Sequence, residues 1–122
     1  MRLILALAAI AAFTVSAFAG SSLKISVDTQ NETLKRDIET YMSAAIAQFP
    51  WLNENDSTLI IEPRSSGNTF FFDMILVSRD GKYLGNVTGV CSGESPAMRL
   101  TFKQAVVSMV RSGAFESTGQ AQ

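Results

Sequence analysis

Hydrophobic positions along the chain change period several times, and each change marks an element. Met1-Arg2 leads into an apolar run from Leu3 to Val15, and Ala17-Phe18-Ala19 then supplies a small-x-small site. One positive charge, an apolar stretch and such a site are the three parts of a cleaved export signal, with cleavage after Ala19 and Gly20 as the new N-terminus. The stretch is shorter than the about 20 apolar residues a membrane-spanning helix needs, and no charged stop-transfer cluster follows it.

After the signal the period becomes two. Leu23, Ile25 and Val27 alternate with Lys24 and Ser26, which predicts a half-buried strand. Thr29-Gln30-Asn31-Glu32 fits a capping box with Thr29 as N-cap. Behind it Leu34, Ile38, Tyr41, Met42, Ala45, Ile46 and Phe49 fall on one helical face, away from Lys35, Arg36, Asp37 and Glu39. Pro50 ends that helix. Trp51-Leu52 is expected to fold back under the helix end, and Asn53-Glu54-Asn55-Asp56 to form an exposed acidic loop.

The second half reads as strands. Thr58 to Glu62 is a short strand, Pro63-Arg64-Ser65-Ser66-Gly67-Asn68 a turn, and Thr69 to Ser78 a long strand rich in aromatic and aliphatic residues. Asp80-Gly81 is a hairpin signal, with Tyr83 to Cys91 as the return strand. Ser95-Pro96 reads as N-cap and first helical residue of a last helix, with Thr101 to Gln104 as a later alternative start. Its stripe is Met98, Phe102, Ala105, Val106, Met109 and Val110, and Gly113 sits where a C′ glycine belongs. Arg111 in the last turn suits the helix dipole.

The order is β-α-β-β-β-α, which predicts an α+β two-layer sandwich: a mostly antiparallel sheet with two helices on one face. Residues 1–19 are the signal, 20–115 a single domain and 116–122 a flexible polar tail. The order is loosely similar to that of small envelope-assembly domains of bacterial periplasmic proteins. It is a similarity of element order and brings no residue-level assignment.

A two-residue turn at Asp80-Gly81 sets Ser78 opposite Tyr83, Val77 opposite Leu84, and the like-charged Arg79 and Lys82 opposite each other. One sheet face then carries Phe70, Phe72, Met74, Leu76, Tyr83, Val87 and Cys91, the expected core. The other carries Phe71, Asp73, Ile75, Val77, Leu84, Asn86, Thr88 and Val90. Two helices cover one face of a four-stranded sheet, so part of this second apolar set is expected to be exposed and to serve as an interaction surface.

Composition narrows the chemistry. The chain has 122 residues, 47% of them hydrophobic, with a formal net charge of -1. Loss of residues 1–19 removes Arg2, leaving nine basic against eleven acidic residues and a charge of -2. That balance does not fit a nucleic-acid binder. There is no histidine and one cysteine, Cys91, which excludes a histidine triad, a His/Cys zinc site and an internal disulfide. No cofactor or metal is implied; Asn53 to Asp56 lacks the ligand order of a calcium loop. No serine lies in Gly-x-Ser-x-Gly, and the glycines of Gly85 to Gly89 do not form a phosphate cradle. Cys91 reads as a small hydrophobe at the end of a core strand, against an intermolecular disulfide or redox role.

Asp73 is the one charge in an apolar strand. It reads as a marker of the water-facing side, or as half of a carboxylate pair with Glu62 in a small hydrolase, which would require a cleft holding both. Arg99, Lys103 and Arg111 give the last helix a basic face, a secondary candidate for docking to an acidic partner. Sequons occur at Asn31, Asn55 and Asn86, with Asn55 alone expected on a loop tip. The alanine-rich signal points to the periplasm, with the extracellular side as the alternative. The reading is an exported non-catalytic protein-interaction module, an envelope accessory or an inhibitor- or immunity-type protein. Its partner is a protein or a second copy; no nucleic acid and no permanent membrane anchor after cleavage are expected. The carboxylate hydrolase is the alternative.

Overall fold

The computed structural model describes residues 23–118, so the expected signal, its cleavage site and the last positions of the expected tail lie outside the described residues. The order is β1 (Lys24–Val27), α1 (Glu32–Ile46), a 3-10 turn (Pro50–Glu54), β2 (Ser57–Ser66), β3 (Thr69–Ser78), β4 (Tyr83–Ser92), α2 (Ser95–Arg111) and a second 3-10 turn (Ala114–Thr118). The strands lie in the order β1-β2-β3-β4. β1 runs parallel to β2, and the other two pairs are antiparallel. A parallel pair needs a crossover, which α1 supplies, whereas antiparallel neighbours are joined by short turns. The result is the α+β two-layer sandwich that the pattern predicts, with both helices on one face.

The helix starts differ in detail from the expected ones. Asn31, not Thr29, is the N-cap of α1: its Oδ1 accepts the Leu34 N–H at 3.0 Å. The Thr29 hydroxyl accepts instead from Asn31 N–H at 3.2 Å, one step outside the helix. In α2, Glu94 holds the N-cap position and Ser95 is already helical. The Ser95 hydroxyl hydrogen-bonds the Tyr41 hydroxyl at 2.7 Å, tying the start of α2 to α1. A later start at Thr101 does not occur. Gly113 follows the C-cap of α2 with a φ of 82°, the left-handed conformation that glycine adopts without a Cβ penalty.

The loop after α1 is a correction. Leu52 is fully buried, as expected, but Trp51 stays 42% exposed and meets Phe49 and Phe115 edge-on. Asn55 is not on a loop tip; it is fully buried. Its side-chain amide donates to the Phe115 carbonyl at 3.2 Å, and its Oδ1 accepts from the Ser57 hydroxyl. A polar residue is stable there because its partners replace water. This cluster fastens the second 3-10 turn to the start of β2.

β2 is longer than expected and runs through Pro63 instead of turning there. The ladder explains why. Asp28 N–H donates to the Ile61 carbonyl at 2.8 Å, so odd positions of β2 direct their backbone groups toward β1. β1 pairs only as far as Ile61, and the missing N–H of Pro63 therefore faces an unoccupied edge. The turn shrinks to Gly67 and Asn68, with Gly67 at a φ of 60°.

The β3–β4 connection spans Arg79 to Lys82 rather than two residues. Ser78 N–H donates to the Lys82 carbonyl at 2.8 Å, and Arg79 pairs with Asp56 at 3.1 Å instead of facing Lys82. An irregularity then sets Val77 opposite Tyr83, while Leu76 keeps the expected partner Gly85. Such a bulge inverts the residues inside it. Tyr83 leaves the core and is 60% exposed, and Leu84 packs against the core.

Inside the sandwich Val27, Leu59, Ile61, Phe70, Phe72, Met74 and Leu76 meet Ile38, Met42 and Ala45 of α1 and Met98, Phe102 and Met109 of α2. Phe72 stacks on Phe102 with ring centroids 4.1 Å apart. The opposing position on β4 is Gly89. A Cβ there would overlap the Phe72 ring, so this glycine is required by a close approach in the core and not by a turn or a ligand. Cys91 is free, half-buried and packed against the same core.

Candidate functional site

The sheet face turned away from the helices is built by alternation. Each strand sends every second side chain into the core, so the remaining ones share the outer face. Across the strands they form rows. Lys24, Thr58, Val77 and Tyr83 make the first; Ser26, Ile60, Ile75 and Asn86 the second. Glu62, Asp73 and Thr88 make the third, and Arg64, Phe71 and Val90 the fourth. The polar third row thus lies between rows that hold Ile60 and Ile75 on one side and Phe71 and Val90 on the other.

Most expected members of the face are brought together here: Phe71, Asp73, Ile75, Val77, Asn86, Thr88 and Val90. Leu84 is the exception, because the bulge turns it inward. Phe71, Ile75 and Val77 are half-buried by their neighbours, whereas Val90 is 61% exposed. Ile60, Arg64 and Tyr83 also belong to the face and were not expected there. The run Leu59-Ile60-Ile61 is apolar throughout and gives no parity, Arg64 reads as a turn residue beside Pro63, and Tyr83 depends on the bulge.

Asp73 is the centre of the polar row. Its Oδ2 lies 3.4 Å from an Arg64 guanidinium nitrogen, and its Oδ1 accepts from the Thr88 hydroxyl at 3.0 Å. Glu62 stands directly opposite on β2. Like charges facing each other across a strand pair are unfavourable, and Arg64 offsets this from two residues along the same face. The two carboxylates are therefore neighbours, but on an open sheet face, with both Asp73 oxygens already engaged. On β4 the Tyr83 hydroxyl donates to Asn86 Oδ1 at 2.6 Å, which orders the rim of the face.

The basic set on α2 is divided. Arg99 lies over the Tyr41 ring, 5.7 Å from its centroid, where the cation meets the negative face of the ring. Lys103 and Arg111 line a shallow groove with Leu100 and Val107. Among the described residues no group of histidine, cysteine, aspartate or glutamate side chains is arranged to hold a metal ion. Within them no helix is long and apolar enough to cross a membrane. Neither a protein-family model nor any curated protein sequence matches the chain.

Proposed function

We propose that this is an exported, non-catalytic protein-interaction module, an envelope accessory or inhibitor-type binding protein, that docks a partner protein on the outer sheet face. The observation that carries the reading is the one-sided layering. Both helices pack on one face of the sheet, and Ile60, Phe71, Ile75, Val77 and Val90 share the other. Apolar side chains grouped on a protein surface favour association, because contact removes their area from water. The polar row between them supports a contact that forms and dissociates, since the Asp73 carboxylate is already paired with Arg64 in the free protein. The chain's signal-like N-terminus supports export.

The test is affinity capture from the native compartment with the parent protein and with Ile75→Lys, each checked for folding by circular dichroism. Ile75 lies in the middle of the face, so a lysine there introduces a charge that docking would have to desolvate. A partner captured by the parent and lost with the folded variant supports the reading. Equal capture by both moves the binding surface elsewhere, with the Lys103–Arg111 side of α2 as the next candidate.

A further inference from the structure

β4 is an unguarded edge. Among the described residues it is the outermost strand of the sheet, and from Tyr83 to Ser92 it contains no charged residue and no proline, which are common guards of an edge strand. The opposite edge, β1, is four residues long and begins with Lys24.

The ladder fixes which backbone groups β4 offers. Gly93 N–H donates to the Asn68 carbonyl at 2.9 Å, in the same register that pairs Cys91 with Phe70 and Gly89 with Phe72. Odd positions therefore bond inward to β3, and Asn86, Thr88 and Val90 direct their N–H and C=O groups outward. Beside this edge a groove of about 260 Å³ separates Val87 to Val90 from Thr101, Gln104, Ala105 and Ser108 of α2. Those four helix positions are one uncharged row at helical spacing.

We propose that β4 pairs antiparallel with β4 of a second copy, with Thr88 on the two-fold axis, joining the two four-stranded sheets into one. Charge selects this occupant. A two-fold interface sets a surface against itself, so any charge near the axis meets its own kind. β4 and the facing row of α2 carry none, while Lys103 and Arg111 line the neighbouring groove, which borders that row at Gln104 and Ser108. The register is self-consistent. Thr88 faces its own copy and Asn86 faces Val90 of the partner subunit, so every outward N–H meets an outward carbonyl. Threonine pairs are favourable across strands, and Thr101, Ala105 and Ser108 are small enough for the second α2 to close over the joint. The pairing uses backbone groups at the edge and does not rest on the binding role of the outer face.

Sedimentation velocity of the purified protein over a wide concentration range tests it, with a disulfide trap for the register. The parent should sediment at twice the chain mass. Thr88→Pro removes an N–H that points away from β3, so the fold is kept while the dimer should weaken at least about tenfold. Thr88→Cys in a Cys91→Ser background should form a disulfide-linked dimer on oxidation, because self-paired Cα atoms about 5.5 Å apart suit a disulfide. Lys24→Cys in that background should not, and Ile75→Lys should leave the dimer intact. A parent that stays monomeric overturns the proposal. So does a folded Thr88→Pro with unchanged self-association, or a dimer that Thr88→Cys does not trap; the trap decides if Thr88→Pro does not fold.

Discussion

Along β3 the two faces of the sheet differ little in composition and sharply in what surrounds them. On the inner face Phe72, Met74 and Leu76 are fully buried beneath both helices. On the outer face Phe71, Ile75 and Val77, their immediate neighbours in sequence, are half-buried, with no element over them among the described residues. β3 is therefore apolar on both sides, a pattern expected of a strand covered on both faces, yet here it is covered on one. Hydrophobicity alone does not separate residues that hold a fold from residues available to a partner. The separation comes from the layer count, and Asp73 is the one position in β3 that marks it in the sequence.

Substitutions on β3 and β4 should break this contrast in graded fashion. Phe72→Ala removes a fully buried ring stacked on Phe102 and should lower stability by about 3–5 kcal/mol; Ile38→Ala on α1 should cost about 2–5 kcal/mol. Denaturant unfolding reads both. Gly89→Ala acts from the same side by overpacking: its methyl group displaces the Phe72 ring, for an expected loss of about 1–3 kcal/mol in the same assay. An unchanged midpoint for Gly89→Ala would show that the ring adapts and that the close approach is not required.

Asp73→Asn probes the outer face and should do less. The side chain is 27% exposed and its Arg64 partner 63% exposed, so the ion pair is screened by water and its loss should cost below about 1 kcal/mol. In a domain of this size that is a fall in melting temperature of at most about 4–8 °C. A loss as large as that of Phe72→Ala would make Asp73 part of the fold's foundation and erase the distinction between the faces.

Much of the architecture is legible in the sequence because period and punctuation agree. The stripe from Ile38 to Ile46, the alternation of Leu23, Ile25 and Val27 along β1 and Gly113 after α2 each have one physical reading, and the structure follows it. What was not legible depends on partners distant in sequence. Asn55 looks like a loop residue until Phe115 and Ser57 surround it. Pro63 looks like a turn until β1 proves too short to need its N–H. For the candidate site, the parity of β3 placed Phe71, Asp73, Ile75 and Val77 correctly. One bulged residue exchanged Tyr83 and Leu84, since a period of two carries any insertion to the opposite face. Gly89 was visible as a glycine in a strand, but its reason lies in the ring across from it.

Ile75→Lys tests the division between the faces most directly, by thermal unfolding and partner capture on one sample. Ile75 is half-buried on the outer face, so its replacement should lower stability by about 1–2 kcal/mol, short of the loss for Phe72→Ala. Partner capture should nevertheless be lost. Full capture by a folded Ile75→Lys would contradict the account, and so would a collapse of stability comparable to that of Phe72→Ala.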